Sequence, residues 1–221
     1  QFGLGEDYSR YPRRLRSDAA VCQGEGVDVL FVPTREEMYP PGFGTSVAVQ
    51  GLSRRWEGER RPGHFEGVAT VVAKLCGLAR PHVAFFGRKD FQQAALVRRL
   101  VEDLSLGVRV AVCPTVRDKN GVALSSRNQY LTPAQRRAAP VLYAALRAGH
   151  AAVRAGVRSA SRIRRVMRDT IATEPLARVE YLSVCDPDTL EPRSRITGDA
   201  VLLGAIRLGR VRLIDNLLVK K

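Results

Sequence analysis

Two short stretches carry the residue types that hold phosphate. The first, Gly87-Arg88-Lys89-Asp90, ends an apolar run and opens an amphipathic segment. Glycine lets backbone approach a ligand, a helix starting at Asp90 offers unpaired N–H groups and a positive dipole end, and Lys89 adds a point charge. Asp90 can hold a ribose hydroxyl; the plainer role for these residues is a tight strand-to-helix turn with a solvated lysine and a capping aspartate. The second stretch runs from Gly121 through Leu124-Ser125-Ser126-Arg127 to Asn128. Two hydroxyls followed by the planar fork of a guanidinium make a phosphate clamp, or an ordinary serine-rich turn. Gln92 and Gln93 open the same amphipathic segment, and one of them facing a cleft can donate to a carboxylate or hydroxyl. Arg60-Arg61-Pro62-Gly63-His64-Phe65 sets two guanidiniums and an imidazole just ahead of a helix, where they can bind an anion or seat a substrate. A lone histidine is more often a structural hydrogen-bonding residue, and His82 and His150 read that way too. Asp186, Asp188 and Glu191, in CDPDTLEP, can be read as a metal cluster, but Asp, Pro and Thr together favour a turn.

The elements that position these residues follow from periodicity and punctuation. A short helix is predicted over Arg14–Gln23. Val27–Val32, near-continuously apolar between Gly26 and Pro33, predicts a strand buried on both faces. The segment after Gly67 up to Ala79 has helical length. His82–Gly87 predicts a second buried strand, Asp90–Leu104 an amphipathic helix and Val108–Val116 a third strand. Alternation of helix and strand with short connections predicts a parallel sheet covered on both faces, with ligands bound at the carboxyl ends of its strands. Beyond residue 116 the pattern changes. Thr132-Pro133 is an N-cap followed by proline at the first helical position. One long helix is expected from there to about Ala155 and another over Ser159–Ala172. Strands Val179–Val184, Val201–Ile206 and Val211–Val219 close the chain. This predicts two domains, 1–117 and a smaller α+β domain, 118–221.

Composition sets the outer limits. The 221 residues are 45% hydrophobic and 26% charged, proportions of a folded protein rather than a disordered or collagen-like one. A chain this long can bury roughly 70% of its unfolded surface. The net charge of +14 is nearly all arginine, because lysine occurs only at Lys74, Lys89, Lys119, Lys220 and Lys221. Such a surface attracts phosphate-bearing partners. The arginines are scattered and lack interleaved aromatics, so a solvated basic surface is favoured over a nucleic-acid interface. No long apolar run or signal peptide marks a membrane or exported protein. Cys22, Cys76, Cys113 and Cys185 are widely spaced and form no Cys-x-x-Cys pair, which favours a reducing compartment and free thiols. Cys76 and Cys113, inside apolar runs, are expected to be buried.

Taken together, QFGLGEDYSRYPRRL, EEMYP, RPGHFEGVATVVAKL, FGRKDFQQ, CPTVRDKNGVALSSRNQYL, CDPDTLEP and RLGRVRLIDN, in this order, closely resemble the pantothenate synthetase (pantoate–β-alanine ligase) family over essentially the whole chain. The resemblance implies a Rossmann-like nucleotidyl-transferase fold of the HIGH superfamily with a small α+β lid domain. It also implies a cytoplasmic homodimer acting on pantoate, β-alanine and ATP. In that reaction pantoate and ATP form pantoyl adenylate and pyrophosphate, and β-alanine then displaces AMP. Magnesium would be held mainly by the phosphates rather than by a protein metal site. Carried over by position, Gly87, Arg88, Lys89 and Asp90 surround the ribose and phosphates. Val116, Leu124, Ser125, Ser126 and Arg127 match adenine and phosphate contacts in a mobile loop. Gln1 and Gln93 match pantoate-binding glutamines, Gln1 also touching β-alanine, while Arg61 and His64 match the RPGHF segment. Lys89, Ser125, Ser126 and Arg127 are the residues to which the resemblance gives the phosphate chemistry.

Three departures qualify the resemblance. The family's opening strand and its His-x-Gly-His phosphate cradle have no counterpart in the sequence. Arg88 stands where the family usually has Glu or another non-basic residue, and Asn120 where it usually has Asp. The expectation from the first departure is an N-terminally incomplete sheet and a fragment with little or no ligase activity. The competing expectation is a catalytically inactive nucleotide-binding remnant.

Overall fold

The computed structural model describes residues 2, 8, 9 and 11–220 of the chain. Its first half is helical around a two-stranded parallel sheet. Helices α1 (Leu15–Gly24) and α2 (Arg35–Met38) come first, the latter closed by a capping box in which Thr34 and Glu37 satisfy each other's backbone N–H groups. The short helix α3 (Glu57–Arg60) leads into α4 (His64–Ala79). Strand β1 (Val83–Gly87), helix α5 (Phe91–Asp103) and strand β2 (Arg109–Cys113) form one strand–helix–strand unit in which β1 pairs in parallel with β2. Between β1 and α5 the chain makes a single 3₁₀ turn, Arg88–Asp90. Ala84, Phe86 and Val110 pack into the apolar cluster built by α4 and α5.

The predicted strand Val27–Val32 is not a strand. It has no ladder partner among the described residues, and Val29 is 79% exposed. A strand is made by its neighbour's hydrogen bonds, and an apolar run supplies only half of that requirement. The expected burial on both faces fails with it: Phe85, on β1, is 71% exposed. Cys113 is exposed as well, because β2 ends there, whereas Cys76 is buried as expected.

The second half carries α6 (Pro133–Ala138), α7 (Val141–Arg154), α8 (Ala160–Ala172) and the antiparallel sheet β3 (Ala177–Cys185), β4 (Ala200–Leu208), β5 (Val211–Val219), paired in that order. The single helix expected from Thr132 to Ala155 is two, since Pro140 lacks an N–H and crowds the turn before it. Thr132 caps α6 as read, in a capping box with Gln135. CDPDTLEP is a turn in which one Asp186 oxygen accepts from the N–H groups of Asp188 and Thr189.

Both faces of the antiparallel sheet are buried, and its period of two sorts them. Leu182, Val184, Leu202 and Ile206 enter the core with α7 and α8, while Cys185, Val201 and Leu203 enter the cluster with α4 and α5. The sheet therefore joins the two halves of the chain and holds one against the other. Among the described residues no helix is long and apolar enough to cross a membrane.

Candidate active site

Between the two halves lies a cleft of about 760 Å³, lined by Lys89 and Asp90 from the turn after β1, Ser125 and Arg127 from the loop before α6, Arg61 from the segment before α4, and β5. Its size suits a nucleotide. A smaller adjoining cavity of about 170 Å³ is lined by Arg61, His64, Gln93, Lys89, Asp90 and Arg127. The two phosphate-type loops thus converge, although they are far apart in the chain.

The β1–α5 unit explains where Lys89 stands. A strand delivers the chain to the start of a helix, and the side chain projects from the turn between them. Lys89 Nζ lies 3.2 Å from Asp90 Oδ1, which holds the ammonium at the cleft wall without burying it. On the other side, the Ser125 hydroxyl accepts from Arg127 N–H and starts the 3₁₀ segment Ser126–Tyr130. The Ser126 hydroxyl bonds the Tyr11 hydroxyl at 3.2 Å, and the Arg127 guanidinium lies over the Tyr11 ring. Arg61 and the His64 ring are 2.8 Å apart.

Not every expected site residue lines these cavities. Gly87 and Arg88 support the turn behind Lys89. Val116 and Leu124 lie at the surface, 66% and 53% exposed, and Ser126 is exposed beside Tyr11. Gln1 lies outside the described residues. Both glutamines line the smaller cavity, but the Gln92 amide is committed to structure: it donates to the carbonyls of Leu52 and Arg55 and accepts from Glu57 N–H.

Sequence reasoning passed over the residues that brace the cleft. Glu57 is buried, 6% exposed, and bonded by the Arg212 guanidinium and the Tyr181 hydroxyl. Arg212 also bonds Glu180, which in turn holds Arg207. Burial pushes the Tyr181 hydroxyl well above its ordinary pKa, and the Glu57 carboxylate adds to that. Burial also raises Glu180, but the bonds and charges of Arg212 and Arg207 prevail and hold it below the usual carboxylate range. Arg117 donates to both oxygens of Asp215, and its guanidinium stacks 3.7 Å over the Tyr143 ring. A signal for these pairs was present: Asp215 sits in VRLIDNLLV, and a carboxylate inside an apolar strand demands a partner.

Two buried amide oxygens, Asn128 Oδ1 and Asn216 Oδ1, have no hydrogen-bond partner among the described residues. Asn128 lines the larger cavity and Asn216 the smaller. Acceptors left unpaired beside a cleft suit donors arriving on a ligand.

The model of the family described as pantoate-beta-alanine ligase matches residues 1–218. The pantothenate synthetase of Chloroflexus aggregans is 52% identical over 220 residues, spanning 99% of this chain and 79% of that protein. The pantothenate synthetase of Moorella thermoacetica is 47% identical, over 100% of this chain and 78% of its own. Among solved structures, pantothenate synthetase from Thermus thermophilus superposes with a TM-score of 0.95 at 50% identity, covering 98% of this chain and 79% of that one. The pantoate-beta-alanine ligase from Francisella tularensis, solved with beta-gamma ATP and beta-alanine, superposes at a TM-score of 0.77 and 31% identity over 98% and 74% of the two chains. The α/β nucleotidyltransferase-like fold expected from the sequence is the fold found.

Proposed function

The chain belongs to the pantoate-beta-alanine ligase family, and on that premise we propose that it joins pantoate to β-alanine with cleavage of ATP to AMP and pyrophosphate. The observation that carries the proposal is the convergence of Lys89 and Arg127 on one nucleotide-sized cleft. The pantoate carboxylate attacks the α-phosphorus of ATP, the bond to pyrophosphate breaks, and pantoyl adenylate forms. The β-alanine amine then attacks the acyl carbon, and AMP leaves with the bonding electrons.

No residue is consumed in either step, so the protein's share is placement and charge stabilisation. Lys89 meets the charge that develops on the phosphates. Arg127 supplies paired donors to the same group, with Ser125 and Ser126 beside it. Asp90 holds the ribose, backed by Gly87 and Arg88, and Val116 and Leu124 flank the adenine at the rim. Gln93 receives pantoate near His64 and Arg61. Glu57, Glu180 and Asp215 face the cleft but are each engaged by arginine, which leaves them poor magnesium ligands. Magnesium would then be held mainly by the ATP phosphates, whose charge it would neutralise. Residues 1–117 form the ATP- and pantoate-binding domain and 118–221 the lid domain, which brings Ser125 and Arg127 to the phosphates, in a cytoplasmic homodimer.

The test is product analysis with all three substrates. AMP and pantothenate appearing in equal amounts, and only when all three are present, is the expected result, at the low rate of a sequence without a His-x-Gly-His counterpart. ATP bound but never cleaved would leave the chain a nucleotide-binding role alone, and a folded chain that binds no ATP would overturn the reading.

A further inference from the structure

We propose that Asp215 and Asn216, consecutive residues of β5, are positioning residues that tie the two phosphate loops to one strand and so fix their separation. The proposal rests on the nucleotide reading of the cleft. Both residues are buried, 5% and 3% exposed, in a strand that is otherwise largely apolar. A carboxylate and an amide are costly there unless their bonds are made, and the bonds they make run to the bases of the two loops.

Asp215 accepts from Arg117 at 2.5 and 2.9 Å. Arg117 in turn donates to the Gly121 carbonyl, and the Arg117–Ala123 bridge closes the stem from which Ser125 and Arg127 project. The Asn216 amide donates to the carbonyls of Arg88 and Lys89, at 2.8 and 2.9 Å. The two anchors are themselves linked, since Asp215 Oδ1 accepts from Asn216 N–H at 2.8 Å. Lys89 and Arg127 are thereby referred to a common frame. A misplacement of about 1 Å between groups that share one ligand can cost on the order of a hundredfold in rate.

The variants Asn216→Asp and Asp215→Asn keep side-chain shape while removing the donors in one case and the charge in the other. Each is titrated with ATP by calorimetry, alone and combined with Lys89→Ala or Arg127→Ala, with melting temperature measured alongside. The expected result is ATP binding weakened about tenfold by either variant. Asn216→Asp should cost nothing further once Lys89 is gone, and Asp215→Asn nothing further once Arg127 is gone. Should Asn216→Asp not fold, Asn216→Ala carries the same comparison, leaving a small cavity in place of a misplaced charge. Unchanged ATP affinity in both variants overturns the proposal. So does a loss that adds in full to those of Lys89→Ala and Arg127→Ala, because a merely structural role is indifferent to the loop side chains. A folded parent chain that binds no ATP removes the nucleotide reading itself, and the proposal with it.

Discussion

Glu57 and Arg212 are 155 positions apart in the chain and form a two-pronged ion pair between α3 and β5. The pair crosses the boundary between the two halves at the floor of the cleft. Tyr181 and Glu180 complete its bonding, and Arg207 matches the second carboxylate. Removing one member of a buried pair strands the other. Arg212→Met should therefore destabilise the chain by about 3 kcal/mol or more. Joint replacement, Glu57→Gln with Arg212→Met, should cost less than the sum of the single changes. Urea unfolding of the four proteins measures this; additive losses would show that the pair is not coupled.

Lys89→Ala removes the cation at the β1–α5 turn together with its pairing to Asp90. Adenylate formation should fall by about a hundredfold or more, as when a single charge-stabilising donor is deleted from an active site. Melting temperature should stay close to that of the parent. An unchanged rate would reduce the turn to a structural one.

Gly58 shows why the basic segment before α4 is placed as it is. A Cβ at Gly58 would lie 1.8 Å from the backbone oxygen of Ser53, a clash that no side-chain movement relieves. Gly58→Ala should force α3 away from the preceding turn and shift Glu57, Arg60 and Arg61 together. Stability should fall by about 2 kcal/mol or more, since the strain is in the backbone. A melting curve that matches the parent would contradict this close approach.

The sequence made some of this architecture legible and hid the rest. Elements whose own residues specify them were readable: α5 from its apolar stripe, the start of α6 from Thr132-Pro133, and β4 and β5 from their apolar runs. What failed depended on partners. Val27–Val32 has the composition of a strand and no neighbour to pair with among the described residues. Gln92 and Gln93 are indistinguishable in sequence; both border the smaller cavity, and only the fold shows the Gln92 amide spent on the Leu52 and Arg55 carbonyls. The phosphate-type loops were found by residue type; Asp215 inside VRLIDNLLV signalled that a buried partner exists, but which loops Asp215 and Asn216 hold emerges only from the fold.

Acid stability should carry the mark of Asp186. The backbone N–H of Thr189 lowers its pKa most. Partial burial opposes this, and the N–H of Asp188 and the Arg193 guanidinium add to the lowering, from 3.8 to about 2. The unfolded chain therefore takes up the proton first. The stabilisation is complete above the unfolded value of 3.8 and is lost as pH falls toward about 2. Solvent screening at this half-open turn trims the full linkage value, so Asp186→Asn should reduce stability near neutrality by about 1 kcal/mol. It should also flatten the decline over that acid window. Denaturant midpoints measured across the window decide it; parallel curves for the two proteins would rule out this role for Asp186.

A single ligand gripped from two sides is the feature on which the enzymatic reading stands, and a crystal structure of the chain with a non-hydrolysable ATP analogue examines it without intermediaries. The triphosphate is expected within hydrogen-bonding reach of both Lys89 Nζ and the Arg127 guanidinium. An analogue bound elsewhere, or held by one of the two loops while the other faces solvent, would contradict that grip.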